Sequence, residues 1–346
     1  MPYENHVWKE AHMKRGRKII SLVWAMLLFG LTVFAALDTF VIEHTYSAVE
    51  PSAAESPSTA SPQAVQSAEA APVAASADAT QEQSVILSAT PEATQAPATA
   101  VPIVSTENSY SDGNVSITIS EIRAYNSTVY VADVVLSSPE YLQTALANNV
   151  YGRNVKAKTS SIAEEANAVL AINGDYYGAR ESGYVIRNGV LYRNKAKRNG
   201  EDLVIYQDGS FEIVNESEIT AQELLAKGAW NVLSFGPALL IDGEISVDEN
   251  DEVGQAMASN PRTAIGIVDT LHYLFVVSDG RTSVSEGLSL QELAQVLLDL
   301  GAKTAYNLDG GGSSTMVFQG DVVNRPTTNG KKISERSVSD IVCITL

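Results

Sequence analysis

Histidine and cysteine are almost missing from this chain, whose 346 residues carry four His and one Cys. The single Cys343 excludes an internal disulfide framework and any multi-cysteine zinc or iron–sulfur site. His6, His12 and His44 all precede residue 45, which leaves only His272 for the remaining chain. A histidine-rich metal centre is therefore excluded there, no metal or other cofactor is expected, and acid–base chemistry falls to Asp and Glu. Positive charge is also short: Lys and Arg number 23 against 41 Asp and Glu, for a net charge of −18. Such a chain cannot neutralise a phosphate backbone, so nucleic acid is excluded as a general partner. There is no G-x-S-x-G elbow, no P-loop, no dinucleotide-binding glycine fingerprint and no internal repeat. His272 lies in a strand-like run and is expected to be a satisfied core histidine. Cys343, in the terminal β-like run, is expected to be a buried, inert thiol.

What charge there is falls in blocks. Residues 1–18 are basic, with Lys9, Lys14, Arg15, Arg17 and Lys18 against Glu4 and Glu10. Residues 19–37 contain no charge at all and, as a helix, span about 28 Å, close to the hydrocarbon thickness of a bilayer. The basic flank predicts an N-terminus in the cytoplasm and a single-pass protein of the cell membrane, its C-terminal domain outside. A cleaved signal peptide is the alternative, although its apolar region is normally about 7–15 residues long. Residues 38–122 have eleven acids and no Lys or Arg. Within them, positions 47–105 hold 17 Ala, 10 Ser, 7 Pro and 5 Thr and no aromatic residue. That composition cannot bury enough apolar surface to offset chain entropy, so 38–107 is expected to be a disordered tether holding a domain away from the bilayer.

From 108 to 346 the pattern is that of a folded domain. VSITISEIR (115–123) and TVYVADVVL (128–136) alternate apolar and polar residues around Asn126-Ser127 and predict a hairpin. Pro139 after Ser137 and Ser138 predicts a helix over 139–149, and capping boxes predict helices after Ser161, Thr220 and Ser289. Short β-like runs at 169–173, 203–206, 211–215, 263–268, 272–277, 315–318 and 340–346 fall between them without a regular βαβ rhythm. The expected class is α+β, with mixed β-sheets flanked by helices in one domain.

Chemistry-bearing residues gather where apolar runs end in glycine turns: Asn173-Gly174-Asp175, Asn260-Pro261-Arg262, Asp279-Gly280-Arg281 and Asp309-Gly310-Gly311-Gly312-Ser313-Ser314. The glycine run is either a tight turn between strands or a cradle whose backbone N–H groups face an anion. Asp175 and Asp279 are turn acceptors or working carboxylates. Arg262 and Arg281 suit a phosphate, or else pair with neighbouring aspartates.

Taken together, AINGDYY (171–177), FGPALLIDGEI (235–245), NPRTAIG (260–266), SDGR (278–281), the run to NLDGGGSSTM (307–316) and ERSVSD (335–340) resemble the phosphodiester glycosidase family over about 150–346. Bacterial members of that family are often described as exopolysaccharide-related. The resemblance implies a hydrolase that cleaves a sugar from a phosphodiester, α-N-acetylglucosaminidase-like, with a glycan or sugar phosphodiester as its partner. It implies Asp309, Asp175 and Asp279 as catalytic carboxylates. Asn173, Arg262, Arg281, Gly310, Gly311, Ser313 and Arg336 would bind substrate. A phosphate is already a good leaving group, so arginines that neutralise it can do the work otherwise left to a strong acid or a metal. A non-catalytic polysaccharide-binding or exopolysaccharide assembly factor using the same pocket is the alternative.

Overall fold

A computed structural model describes residues 3–49, 103–248 and 259–346. The low-complexity stretch from 50 to 102 lies outside the described residues, as do residues 1–2 of the basic segment.

Most of the domain is sheet, and every strand pairing among the described residues is antiparallel. The largest sheet has nine strands. Its centre runs Thr304–Asn307, Arg262–Asp269, His272–Ser278, Ser127–Leu136 and Val115–Ala124, with Val104–Thr106 at one edge and Glu244–Ile245 at the other. A five-stranded sheet is ordered Asp321–Val322, Met316–Phe318, Ala168–Asn173, Asp340–Thr345, Leu142–Leu146. A second five-stranded sheet is ordered Val190–Arg193, Val185–Arg187, Ala229–Leu233, Glu201–Tyr206, Phe211–Asn215.

The three sheets share one core. Ile117, Tyr130, Phe275 and Tyr306 from the largest sheet meet Leu170, Ile172 and Val342 from one smaller sheet and Leu203 and Leu233 from the other. The outer face of each sheet is then covered by a single helix. Leu290–Asp299 buries Leu290, Leu293 and Leu297 on the largest sheet. Thr159–Glu165 sets Ile162 and Ala163 against Ala171 and Ile341, and Ala221–Ala226 sets Leu224 against Val204 and Val232. This is the α+β architecture the sequence predicts.

The hairpin forms with Tyr125 and Asn126 at its tip, both at positive φ (46° and 57°). That is the two-residue turn whose twist matches the flanking strands. Capping boxes are present at Thr220 and Ser289. Two helix readings are corrected. Residues 139–149 make only a 3₁₀ turn at Pro139–Tyr141, then the strand Leu142–Leu146 alongside Asp340–Thr345. Long-range pairing outweighs the local helix signal, because Leu142 and Thr144 alternate into the interior. The helix expected after Ser161 begins at Thr159, and its cap comes from afar: the Glu335 carboxylate accepts from Ser160 N at 2.9 Å and Ser160 Oγ at 2.6 Å. His272 is half-buried at a strand end with Nε2 3.0 Å from Asp133, not a core histidine. Cys343 is buried, and burial pushes its thiol up to about 12.

At the N-terminus a helix runs Tyr3–Phe40. Its segment Leu22–Phe40 is long and apolar enough to cross a membrane, and none of it is buried within the protein. Residues 41–49, which the sequence reading counts with the tether, lie against the domain, where His44–Thr45 pairs with Gly152–Arg153.

Candidate active site

Strands of two sheets end together at one place, and Asn173 holds them. Its fully buried amide donates to Asp309 O at 2.6 Å, while its Oδ1 accepts from Thr263 Oγ1 at 2.8 Å and Thr315 N at 3.2 Å. Asp309 N in turn donates to Gly174 O at 3.2 Å. Asn173 is thus a staple behind the site.

The glycine run after Asp309 is a requirement of close packing. A Cβ on Gly310 would stand 2.9 Å from Pro261 O. Gly311 has φ +63°, and a Cβ there would press on the Arg281 guanidinium at 3.0 Å. The amides of Gly311, Ser313 and Ser314 are engaged with Pro261 O, Gly310 O and Gly311 O. Arg262, Arg281 and Arg336 bring positive charge to the site.

Asp309 Oδ2 accepts from Ser313 Oγ at 2.6 Å and from Arg336 Nη2 at 2.9 Å. Arg336 also reaches Ser313 Oγ through Nε (2.8 Å) and Gly310 O through Nη2 (3.1 Å). Asp309 Oδ1 takes no hydrogen bond from the described residues, which leaves it for a ligand. Arg281, at φ 61°, directs Nε and Nη2 to Asn260 Oδ1 (3.1 and 2.9 Å) and Nη1 to Thr328 O (2.6 Å). These acceptors are neutral, and no carboxylate among the described residues pairs with Arg281. Burial and then the nearby Arg336 cation pull its pKa below the ordinary value. Arg262 is buried, with Nε on Leu288 O at 2.8 Å.

These groups open on a cavity of about 760 Å³. Of the residues singled out in the sequence, Arg262, Arg281, Asp309, Gly310, Gly311 and Arg336 line it. Asn173 and Ser313 stand directly behind. The other two aspartates do not line it. Asp175 is buried under Arg187 Nη2 (2.8 Å), Ser234 N (3.1 Å) and Tyr177 N (2.8 Å). Burial alone would raise its pKa, but Arg187 and these N–H donors outweigh that and hold the carboxyl below its usual value. Asp279 accepts from Asn324 Nδ2 at 3.1 Å and Arg325 N at 2.9 Å, and burial raises it. Both carboxylates are already filled by internal donors.

The cavity adds groups that the sequence did not mark. Glu201 is a second carboxylate among the described lining residues, with Oε2 accepting from Ala238 N at 2.8 Å. Arg180 and Lys197 bring further positive charge, and the Arg180 guanidinium lies 4.8 Å above the Phe235 ring. The available signal was weak: Glu201 merely heads a strand, and Arg180 sits in a loop of ordinary composition.

The sequence profile of the phosphodiester glycosidase family matches residues 166–345. Over 204 residues the chain is 28% identical to an SPbeta prophage-derived uncharacterized protein, YomE, of Bacillus subtilis, covering 57% of this chain and 31% of that one. It is 27% identical over 207 residues to the Homo sapiens N-acetylglucosamine-1-phosphodiester alpha-N-acetylglucosaminidase, covering 55% and 40%. The chain thus spans about a third to two-fifths of the length of the curated relatives it matches. The catalytic domain of the zebrafish N-acetylglucosamine-1-phosphodiester alpha-N-acetylglucosaminidase, auto-inhibited by its pro-peptide, superposes with TM-score 0.54 at 24% identity over 67% of this chain and 83% of that one. A hypothetical protein from Synechocystis does so with TM-score 0.50 at 16% identity, over 67% and 62%. Both structural likenesses speak to the fold.

Proposed function

Because this chain belongs to the phosphodiester glycosidase family, we propose that it hydrolyses the bond between a sugar anomeric carbon and the phosphate oxygen of a phosphodiester. Water adds across that bond, and a free sugar and a phosphomonoester leave. The observation that carries this reading is the asymmetry of charge at the cavity. Asp309 has one oxygen fixed by Ser313 and Arg336 and one uncommitted, while Arg281 beside it has no carboxylate partner among the described residues. A bound phosphate diester supplies the missing anion to Arg281, with Arg336 beside it. Asp309 Oδ1 then faces the carbon on which oxocarbenium character develops.

Phosphate departure gathers charge on oxygen, and two guanidinium forks fixed by Asn260, Thr328 and Gly310 are preorganised to receive it. Glu201, the other carboxylate among the described residues that line the cavity, takes the role of the second carboxyl group in this scheme, activating water or protonating the leaving oxygen. Asp175 and Asp279 are positioning residues in this scheme. The sugar expected from the relatives is an α-linked N-acetylglucosamine. The apolar segment 19–37 with its basic flank supports a membrane-anchored enzyme with the domain outside the cytoplasm. The reading is tested by incubating the full chain with sugar-1-phosphodiesters and with plain glycosides of the same sugars. Turnover restricted to the phosphodiesters is expected. Equal turnover of both would remove the phosphate from the mechanism.

A further inference from the structure

The membrane helix does not end in free chain. Its last carbonyls are met by the domain: Arg153 Nη2 and Asn154 Nδ2 donate to Thr39 O at 3.3 and 3.2 Å, and Asn154 Nδ2 also reaches Ile42 O at 3.0 Å. Groups that a helix end normally leaves to water are capped by buried or half-buried side chains of the domain. Two residues on, His44 and Thr45 pair with Arg153 and Gly152. A Cβ at Gly152 would fall 2.3 Å from His44 O, so this strand fits only against glycine. Tyr46 N donates to Tyr151 O at 3.0 Å, with the two rings 6.1 Å apart, and Tyr151 continues into a stack on Tyr177 at 5.1 Å. Val49 N closes the run on Leu191 O at 2.8 Å. Helix cap, strand pairing, ring contact and the missing Cβ are separate observations of one docked segment.

We propose that residues 39–49 are a clasp that seats the domain on the outer surface of the bilayer with the Arg180 side of the cavity near the membrane, so that it acts on sugar phosphodiesters carried by that membrane. This rests on the glycosidase and membrane-anchor readings above. Asn154, which caps the helix, also donates its backbone N–H to Gly178 O at 3.1 Å. Arg180 on the cavity rim is two residues further, at most about 7 Å of extended chain. Arg153 Nη1 lies 3.5 Å from Glu181 Oε1 on the same loop. Exposed Lys156 and Lys158 follow Arg153 and Asn154, which hold the clasp, and suit an anionic headgroup layer. A domain on a free tether of some 50 residues would range over tens of ångströms. The clasped domain keeps its cavity rim close to the helix end, and residues 50–102 become an insertion whose flanks both return to the domain, at Leu191 and at the edge strand Val104–Thr106.

The test uses the full chain in membranes, with a recognition sequence for a site-specific protease inserted near residue 75. After cleavage the domain should stay with the membrane pellet, held by the clasp alone. With Thr45→Pro and Tyr46→Pro together, changes that lie outside the domain core, cleavage should release it. On a sugar phosphodiester presented in anionic vesicles, the cleaved proline variant should then lose tenfold or more in kcat/KM, with no loss on a soluble one. Release of the unmutated domain on cleavage, or full retention of the proline variant, would overturn the clasp. Extraction of the uncut chain by alkaline carbonate would instead overturn the membrane anchor beneath it. An intact clasp with no turnover of either substrate would overturn the glycosidase reading alone.

Discussion

Asp309 and Arg281 sit in one cavity with their charges balanced differently, and the chemistry follows from that difference. Asp309 shares Arg336, whereas Arg281 is held in place by neutral oxygens of Asn260 and Thr328. Replacing Arg281 with Lys keeps the charge and loses the fork. Turnover of phosphodiesters is expected to fall about tenfold or more in kcat/KM with the melting temperature unchanged; parent-like kcat/KM would remove the fork from the mechanism, and a loss matched by a fall in melting temperature would make the arginine purely structural. Behind the site, Arg187 bridges two buried carboxylates, Asp175 at 2.8 Å and Asp340 at 2.7 Å. One cation cannot satisfy both. Burial, with Asp175 adding to it and Arg187 opposing, pushes Asp340 up to about 8. Between the unfolded value near 4 and about 8 the folded state holds a proton that the unfolded chain has lost, so this group's contribution to stability falls as pH rises through that window. Melting curves at pH 5 and pH 8 should show Asp340→Asn gaining on the parent at the higher pH. Arg187→Met leaves two uncompensated buried carboxyls and should cost about 3–5 kcal/mol.

At this scale Asn173, Arg281 and Asp309 were legible because a glycine turn and a charged group meet at a strand end, Arg262 because it follows Asn260-Pro261 at the start of an apolar run, and Arg336 only through the family resemblance. Asp175 carried the same signal for another reason. Its partner Arg187 lies on a different strand, and nothing local distinguishes a carboxylate facing a cavity from one facing a buried guanidinium.

Elements were legible where their cause is local. The hairpin, whose tip at Tyr125-Asn126 falls one residue before the expected Asn126-Ser127, and the boxes Thr220–Glu223 and Ser289–Glu292 depend on residues a few positions apart. The strand Leu142–Leu146 and the cap of Thr159–Glu165 depend on Asp340–Thr345 and Glu335, far along the chain, so neither could be read from its own neighbourhood. The same distinction gives a test. Glu335→Ala removes both hydrogen bonds at the start of a seven-residue helix and should cost about 1 kcal/mol, as an ordinary N-cap does. In a domain of this size that lowers the melting temperature by about 2–4 °C. No change would mean that the carboxylate caps nothing in solution.

On the scale of the whole molecule, composition puts the start of the domain at residue 108, whereas Val104–Thr106 already pairs with Ser109–Ser111, and it gives no sign of the return of residues 41–49 to the domain. That segment pairs with Gly152–Arg153, and two residues of strand leave no periodicity to detect. A fragment spanning 103–346 keeps all three sheets and should unfold cooperatively. It should melt below the full chain, because Tyr151 and Leu191 lose the segment that covers them. Equal melting temperatures would argue against the docking of 41–49.

Hydrolysis by Asp309 within an arginine-lined cavity is decided most directly by comparing the parent and Asp309→Asn on one sugar-1-phosphodiester, with product formation and melting temperature read together. The parent should release sugar and phosphomonoester. The variant keeps the size of the side chain but loses the carboxylate charge, so its rate should fall about a hundredfold or more while its fold is retained. Parent-like turnover in a variant with an unchanged melting temperature, or binding without turnover in the parent, would contradict it.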